Sequence, residues 1–369
     1  MSGARLSTLA LSDFRSHARA RLELGRGTVA IWGANGAGKT NLLEAVSFLS
    51  PGRGLRGATA AEVARRGGSG GWRIAALFQT PEAVREVETG ALPGEPRSVR
   101  LDGKAAIQTD LAHLVPVLWV VPAMDRLWTE GAEGRRRFLD RAAMSLIPDH
   151  AEAALAYDKA LRERNRLLRE GARDPHWYAA LEARMASAGA RLAENRATTL
   201  TALAAAQDRA ETGFPAADLA IVYPEGAAPD TEAALAAALE GGRRADMAAG
   251  RTLTGPHRAD LEAVWAAKGV PARDCSTGEQ KALLLSLVLA NARALAARGR
   301  PPLLLLDEVA AHLDAHRRAA LYAELDALGL QAFLTGTEPG LFAGLGASVQ
   351  CWEATEAGGV TTLAETAAP

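Results

Sequence analysis

The sequence has 369 residues, 48% hydrophobic and 23% charged, values that are ordinary for a soluble globular protein and sufficient for a sizeable core and two domains. The net charge of −1 excludes general attraction to nucleic acid, so any such binding must rest on local basic patches. The two cysteines, Cys275 and Cys351, exclude a disulfide framework and a cysteine metal cluster, and they fit a reducing cytosol.

The N-terminal segment alternates apolar and polar residues, as half-buried strands do. The stretches RLSTLALSDF and RARLELGRGTVAIWG show this alternation, and Gly25 and Gly27 mark turns. The segment lacks the apolar core of a signal peptide, and no run in the chain approaches the ~20 apolar residues of a membrane span. We therefore expect a cytoplasmic protein that begins with a sheet and does not span a membrane.

The most specific motif is GANGAGKT at residues 33–40, which matches the P-loop pattern G-x-x-x-x-G-K-[ST] between a predicted strand and a predicted helix. Its glycines let backbone N–H groups wrap phosphates, Lys39 would reach the β- and γ-phosphates, and Thr40 would offer its hydroxyl to Mg²⁺. The motif therefore predicts a site for ATP and Mg²⁺. The predicted nucleotide-binding residues are Gly33, Ala34, Asn35, Gly36, Ala37, Gly38, Lys39, Thr40 and Asn41.

The middle of the chain has a different composition. From about residue 122 to about 213 it consists mainly of Ala-, Leu-, Arg- and Glu-rich stretches with helical propensity and periodicity. Strand character returns in LAIVYPEG and DLEAVWAAKGV, and the last hundred residues alternate helix and strand, as an α/β sheet requires. We predict an α/β domain formed by residues 1–118 and 250–369, interrupted by a mostly helical domain at 119–249.

The stretch PLLLLDE at residues 302–308 predicts a buried strand that ends in two carboxylates. Asp307 would hold Mg²⁺, through water, opposite Thr40. Glu308 would orient or deprotonate an attacking water, so Glu308 and Lys39 are the predicted catalytic residues. The alternative is an acidic strand end without chemistry, which is the minority interpretation downstream of a P-loop.

A second anion-directed helix begins in CSTGEQK at residues 275–281. Ser276 and Glu279 have the spacing of a capping box, and Gly278 leaves the backbone approachable. Because the P-loop and its acidic partner already form a complete pocket, this helix start is explained if it meets the γ-phosphate bound to another copy of the chain. Asp314 in AHLDAHRR could reach across the same interface. The alternative is a well-capped core helix.

The order of P-loop, STGEQ, LLLLDE and LD resembles ABC-type ATPase heads, and the long insertion resembles SMC-like proteins. The stretches LSDFRSH, LSPGRGLR, GRRRFLDRA, YDKALRERNRLLRE and TGPHRADLEAV extend a closer similarity, to the RecF family of bacterial recombinational repair, nearly from end to end. This resemblance implies an ABC-type P-loop ATPase head with an inserted helical arm. It also implies Arg15 near the nucleotide and Ser276, Gly278 and Gln280 on the partner-facing side. Arg15 could equally be a surface residue in a salt bridge.

Some positions depart from the ABC pattern or leave alternatives open. Many ABC ATPases have Thr-His after the last core strand, whereas this chain has Thr335-Gly336, which favours slow turnover as the resemblance also does. Gln79 is a possible Q-loop residue, but an ordinary strand-end glutamine is the preferred interpretation. His257 of GPHRAD is interpreted as a turn histidine bonded to backbone.

Arginines in the helical region are candidates for DNA contacts. Arg162, Arg166, Arg169 and Arg173 have the spacing of one helical stripe, which could track a phosphate backbone without reading bases. Arg135 and Arg136 are further candidates. The alternative is a solvated ion-pair face, since Glu163 and Glu170 lie close by in the sequence.

Together these features lead us to expect an ATP-switched clamp that dimerises on ATP, binds double-stranded or gapped DNA, and opens after slow hydrolysis. The resemblance implies repair of gapped DNA, with RecO- and RecR-like partners helping RecA to load onto SSB-coated single strands. One alternative is an ATP- and DNA-binding scaffold without functional hydrolysis. Another is an SMC-like or ABC ATPase serving a transporter or a nuclease.

Overall fold

A computed structural model of the protein describes residues 3–172, 174–210, 212–224, 229–346 and 348–368. The chain divides into two compact units, each formed by segments that are distant in sequence. The first unit comprises the chain up to Asp125, the short segment Ala210–Pro215, and Leu284–Pro369. The second unit comprises Arg126–Arg209 and Ala216–Leu283.

The first unit contains a mainly parallel sheet whose strands are short and apolar. The strands are β3 (Val29–Trp32), β8 (Val117–Val120), β12 (Leu303–Leu306), β13 (Gln331–Gly336), β14 (Gln350–Ala357) and β15 (Val360–Thr366). Their order is β15-β14-β3-β13-β12-β8, and only the β14–β15 pair is antiparallel among the described residues. Because parallel strands end at one edge, the loops after β3 and β12 meet there on either side of β13.

An antiparallel sheet of order β2-β1-β4-β5-β6-β7 completes the strands of this unit. Its strands are β1 (Arg5–Phe14), β2 (His17–Glu23), β4 (Trp72–Gln79), β5 (Val84–Ala91), β6 (Ser98–Leu101) and β7 (Lys104–Ala106). The helices are α1 (Lys39–Ser47), α2 (Leu111–Leu114) and α9 (Ala315–Leu328). Phe14, Phe48 and Trp72 pack edge to face in the core, with ring centroids 5.3–5.7 Å apart.

The second unit is mostly helical, as its composition predicts. Its helices are α3 (Ala132–Leu146), α4 (His150–Glu170), α5 (Pro175–Asp208), α6 (Glu232–Gly241) and α7 (Arg243–Ala249). Asp174 caps α5 by accepting a hydrogen bond from the His176 N–H, and Pro175 occupies the first position, where no N–H is needed. A sheet of order β11-β10-β9 uses β9 (Ala217–Val222), β10 (Asp260–Trp265) and β11 (Val270–Pro271).

The boundary of the second unit lies further along the chain than the predicted end of the helical domain at residue 249. Residues up to Leu283 belong to the second unit because β10 pairs antiparallel with β9, with Asp260 opposite Val222, rather than joining the parallel sheet. Strand propensity alone does not show whether β10 joins the parallel sheet or pairs with β9. The mostly helical unit therefore also carries its own small sheet.

Helix α8 (Thr277–Ala297) crosses from the second unit into the first. Contrary to our expectation, this helix is long and apolar enough to cross a membrane, judged by length and composition alone. However, 83% of its most apolar 18 residues are buried within the protein. Leu283 and Leu287, for example, are fully buried. This is the environment of a core helix.

A buried charge network holds α4, α5 and α7 of the second unit together. The fully buried Arg164 donates to Glu182 Oε1 at 3.0 and 3.2 Å, to Asp246 Oδ2 at 2.6 Å and to Thr252 Oγ1 at 2.8 Å. Arg243 adds a second cation by pairing with the Glu182 carboxylate. Two carboxylates are thus matched by two guanidinium groups, which is the condition for burying such charges.

His257 lies in the same unit, and both of its ring nitrogens are hydrogen-bonded within the protein. Its Nε2 lies 3.1 Å from the Thr252 carbonyl oxygen, as predicted for a turn histidine bonded to backbone, and its Nδ1 lies 2.7 Å from the Tyr157 hydroxyl. Burial lowers the pKa of His257 to about 4, so the ring is neutral at pH 7. The stretches RERNRLL and GPHRAD therefore contribute to one packed core.

Candidate nucleotide-binding site

The P-loop follows β3 and curls into the first turn of α1. Ala34, Asn35 and Gly36 form its exposed tip, and the Ala37 N–H donates to the Ala34 carbonyl at 3.1 Å. Gly36 has φ 84° and Gly38 has φ 91°, a left-handed conformation that favours glycine. Glycines in this conformation occur in loops whose successive N–H groups form an anion-binding concavity.

Lys39 begins α1 and is almost completely buried within the loop. Its Nζ donates to the carbonyl oxygens of Gly33 at 2.8 Å and Ala34 at 3.0 Å. Burial lowers the pKa of Lys39, while the negative charges of Glu308 and Asp307 oppose that shift. The ammonium group is therefore held within the curl of the P-loop and close to the acidic pair, where the motif requires a cation.

Thr40 and Asp307 meet at the edge of the parallel sheet, although 267 residues separate them. The Thr40 hydroxyl lies 2.9 Å from Asp307 Oδ1 and 3.0 Å from Oδ2. A hydroxyl and a carboxylate are hard oxygen ligands of the kind that Mg²⁺ takes, usually with phosphates and waters in addition. No cluster of three or more His, Cys, Asp or Glu side chains suited to a metal occurs among the described residues.

Glu308 follows Asp307 in an unusual backbone conformation, with φ 56°. Its N–H donates to Thr335 Oγ1 at 2.8 Å, and the Thr335 hydroxyl donates to Asp307 Oδ1 at 2.8 Å. Sequence patterns draw attention to position 336, where an ABC-type histidine is absent, but they do not indicate a role for Thr335. The feature that could have indicated this role is the Thr335 hydroxyl near the carboxyl end of β13, the strand between β3 and β12.

Arg15 lies against α1 in a bidentate ion pair rather than in the P-loop. Its Nε and Nη2 donate to the buried Glu44 carboxylate at 2.8 and 2.7 Å, and its Nη1 donates to the Glu62 carbonyl. Arg56 pairs with the same carboxylate at 3.1 Å. This ion pair agrees with the salt-bridge alternative, because a fully buried glutamate requires a cation, and a place for Arg15 near the nucleotide stays a prediction.

Ser16, which follows Arg15, and Thr361 of β15 brace the P-loop. Asn41 Nδ2 donates to Ser16 Oγ at 2.8 Å, while the Thr361 hydroxyl donates to the Ala37 carbonyl at 3.0 Å and lies 2.7 Å from Ser16 Oγ. A Cβ on Gly38 would lie 2.1 Å from Thr361 Oγ1 and 2.7 Å from Ser16 Oγ. Only glycine fits at this position, and Asn41 serves to brace the loop.

The start of α8 is exposed and preformed. Ser276, Thr277 and Gly278 are exposed, and the Ser276 N–H donates to Glu279 Oε2 at 2.9 Å, which is one of the two hydrogen bonds of a capping box. The Ser276 hydroxyl donates to the same oxygen at 2.8 Å. Hydrogen bonds from Lys268 and Ser276 lower the pKa of Glu279 to about 2, so this cap is formed at any pH near neutrality.

Gln280 and Asp314, the other predicted partner-facing residues, differ in orientation. Gln280 is buried, and its Nε2 donates to the backbone carbonyls of Cys275 at 2.9 Å and Arg273 at 3.3 Å, so its side chain supports the turn before α8. Asp314 is exposed and caps α9 by accepting from the Arg317 N–H at 2.8 Å. Asp314 therefore remains available to a partner, whereas Gln280 is committed internally.

The predicted DNA-contacting arginines fall into two groups. Arg135 donates to both Asp260 oxygens at 2.7 and 2.8 Å and to two backbone carbonyls, while Arg136 donates to the Ala259 carbonyl at 2.8 Å. These bonds tie α3 to β10, as the ion-pair alternative describes, and contact of Arg135 and Arg136 with DNA stays a prediction. Arg162, Arg166 and Arg169 are exposed along α4, and Arg173 lies outside the described residues.

Gln79 lies at the end of β4, with its Nε2 3.5 Å from Ser7 Oγ, which agrees with the strand-end interpretation.

A P-loop joined through Thr40 to an acidic strand end, on a parallel sheet with an inserted helical unit, defines an ATPase head of the ABC and SMC class. The sequence matches the family model described as RecF/RecN/SMC N terminal domain over residues 5–355. It is 48% identical over 353 residues to the DNA replication and repair protein RecF of Mesorhizobium japonicum, covering 92% of this chain and 93% of that protein. It is 52% identical over 364 residues to RecF of Caulobacter vibrioides, covering 93% and 94%. The chain belongs to the RecF family of DNA replication and repair proteins.

Solved structures agree on the fold. The structure of the recombination mediator protein RecF with ATP in the RecFOR pathway aligns with a TM-score of 0.83 at 24% identity, covering 99% of this chain and 98% of that one. The Smc head domain of Pyrococcus furiosus aligns with a TM-score of 0.58 at 16% identity, covering 99% and 96%. The α/β head with a helical insertion is therefore confirmed.

Proposed function

We propose that this protein binds ATP and Mg²⁺ in its P-loop and dimerises on ATP to form a clamp on double-stranded or gapped DNA. The proposal of a dimer rests on one observation. The S-x-G-E-Q start of α8 is exposed and capped, although the P-loop of the same chain already has its acidic partner. A preformed helix N-terminus with an exposed glycine is suited to an anion. The solved RecF structure with ATP supports the choice of nucleotide.

At the bound nucleotide, each residue of the site would have one role. The loop from Gly33 to Gly38 would wrap the phosphates with N–H groups, and Lys39 would neutralise their charge. Thr40 and Asp307 would hold Mg²⁺, which when bound supplies charge stabilisation on the phosphate oxygens. Glu308 would orient the attacking water and accept its proton. Gly336 has no side chain to contact the γ-phosphate, which favours slow hydrolysis and hence a switch.

Ser276→Arg is expected to abolish ATP-dependent dimers while leaving ATP binding intact. A bulky cation at this exposed position would block approach of the helix start to the partner's γ-phosphate, and the P-loop of the same chain would be unaffected. Light scattering of the purified protein with and without ATP and Mg²⁺ measures the mass. Fluorescence of a labelled ATP analogue measures binding.

Ser187→Arg is the matched control, because Ser187 is also exposed but lies in the middle of α5. This variant should double in mass on ATP as the wild type does. An unchanged ATP-dependent dimer in the Ser276→Arg protein would reject the shared-site arrangement.

The exposed stripe of Arg162, Arg166 and Arg169 is the surface that we propose for the DNA backbone. Replacing all three with glutamine should weaken binding to gapped and plain duplexes alike. It should also reduce the slope of log K against log salt by about 0.9 for each phosphate that the protein no longer neutralises. A salt series with ATP present, followed by fluorescence anisotropy, measures both quantities.

The control for this experiment is Arg21→Gln, Arg73→Gln and Arg85→Gln together, because each of these arginines is already paired with an acid at 2.6–2.7 Å. The net charge changes equally, but the salt slope should remain that of the wild type. Equal losses in both triple variants would show that overall charge, and not the α4 stripe, determines DNA affinity.

The biological setting proposed here follows from the family. RecF relatives are named as DNA replication and repair proteins, and the solved relative belongs to the RecFOR pathway. We infer a cytoplasmic protein, associated with the nucleoid when bound to DNA. RecO- and RecR-like partners would act with it in helping RecA to load onto SSB-coated single strands at gaps.

A further inference from the structure

Thr335 lies at the point where the two catalytic segments of the first unit meet. It belongs to β13, which is hydrogen-bonded to β3 on one side and to β12 on the other. The residue is fully buried, and its position in the register is opposite Ile31, close to the strand end from which the P-loop departs. A hydroxyl buried here must find partners, because an unsatisfied buried hydroxyl destabilises the fold.

Its partners are the two acidic residues of the site. The hydroxyl donates to Asp307 Oδ1 at 2.8 Å and accepts from the Glu308 N–H at 2.8 Å, so its donor and one acceptor position are both used. Thr40 contacts the same carboxylate at 2.9 Å. The carboxylate of Asp307 is therefore fixed between two hydroxyls, one from the P-loop helix and one from β13.

The second of these bonds bears on the backbone of Glu308. A φ of 56° is unfavourable for a residue with a Cβ and persists only where surrounding contacts fix it. The bond from the Glu308 N–H to Thr335 is such a contact. The direction in which the Glu308 side chain leaves the backbone thus depends on the Thr335 hydroxyl.

We propose that Thr335 is a positioning residue that sets the geometry of both acids of the site through this single hydroxyl. The inference rests on the proposed ATPase function and adds to it a fully buried residue that acts through Asp307 and Glu308. Asp307 would be held in place to bind Mg²⁺, and Glu308 would be held in the conformation that directs its carboxylate towards the attacking water.

Thr335→Val and Thr335→Ser separate the hydroxyl from the methyl group. Valine keeps the volume and removes both hydrogen bonds, whereas serine keeps the hydroxyl and loses a methyl. A hydrogen bond to a charged group corresponds to a factor of about 10 to 100 in an equilibrium or rate constant. We therefore expect Thr335→Val to lower kcat for ATP hydrolysis about 10- to 100-fold, while Thr335→Ser stays within about threefold of the wild type.

A binding measurement tests the effect of Thr335 on Asp307 without depending on catalysis. The affinity of a fluorescent ATP analogue should fall about tenfold in Thr335→Val when Mg²⁺ is present and should be unchanged when EDTA is present. Thr199→Val is the matched control, since Thr199 is also fully buried but donates to the Asn195 backbone carbonyl in α5. Thermal unfolding of each variant shows whether it folds, and Thr335→Ser keeps the test decisive if the valine variant does not.

The outcomes separate this inference from the function on which it rests. Wild-type protein that binds no ATP overturns both. If the wild-type protein binds ATP but does not hydrolyse it, the proposed role of Glu308 is wrong. The Mg²⁺-dependent affinity for the ATP analogue then tests the role of Thr335. A folded Thr335→Val protein with normal kcat and normal Mg²⁺-dependent affinity overturns the inference alone. A serine variant as impaired as the valine variant also overturns it, because the methyl group and not the hydroxyl would then be responsible.

Discussion

Glu308→Gln is expected to reduce ATP hydrolysis by about 10²- to 10⁴-fold, the range attributed to general acid–base catalysis. The amide has the shape of the carboxylate but carries no charge and does not accept a proton from water. The backbone bond from position 308 to Thr335 is retained, so the local conformation should persist. ATP binding and ATP-dependent dimers should therefore survive, and the dimer should last longer than that of the wild type.

Single-turnover hydrolysis and light scattering over time measure these two effects. Glu338→Gln is the control, because this substitution removes the same charge from an exposed residue that lies beyond the end of β13. The comparison also decides between a switch and a scaffold. If Glu308→Gln loses hydrolysis but releases DNA at the wild-type rate and still supports repair, turnover is dispensable and the scaffold alternative is correct.

Of the substitutions discussed, Arg164→Met is expected to destabilise the protein most, by about 3–5 kcal/mol in the free energy of unfolding. Methionine keeps most of the packing volume but leaves the Asp246 carboxylate buried without its guanidinium partner. Glu182 keeps Arg243, so the two carboxylates are affected unequally. Urea unfolding followed by far-ultraviolet circular dichroism measures the change.

Arg162→Met on the same helix is the comparison, since Arg162 is exposed and lies half a turn away. Its effect should be within about 0.5 kcal/mol, as is usual for surface positions. Similar losses in both variants would mean that the helical propensity of α4, and not the buried network, determines the stability of the second unit.

The centre of the site could be predicted from sequence because each part is encoded locally. A strand, a glycine loop, Lys39 and Thr40 follow one another without interruption, and four leucines before Asp307 specify a buried strand. Parallel pairing through β13 then brings the two segments together. The contact between Thr40 and Asp307 follows from these local patterns and from the rule that parallel strands end at one edge.

The roles of individual arginines could not be predicted in the same way. Arg15 pairs with a glutamate 29 residues away and Arg135 with an aspartate 125 residues away, and nothing in the sequence links either arginine to its partner. A guanidinium group suits a phosphate and a buried carboxylate equally well. Only the fold decides which of the two it meets. The same holds for Gln280, whose partners are the backbone carbonyls of its own turn.

Thr335 and the later boundary of the second unit were missed for a related reason. A single threonine within an apolar strand is common, and its importance arises from the two strands on either side of it. Similarly, β10 has the composition of a strand for any sheet, and its pairing with β9 is a property of the folded unit.

The brace on the P-loop has a consequence for protein synthesis. Thr361 and the Ala37 carbonyl that it contacts are 324 positions apart, so the ribosome makes the loop long before it makes the hairpin of β14 and β15. Until that hairpin emerges, β3 lacks β14 and Gly38 lacks its contact with Thr361. A nascent chain would thus complete the packing around its P-loop only late in translation.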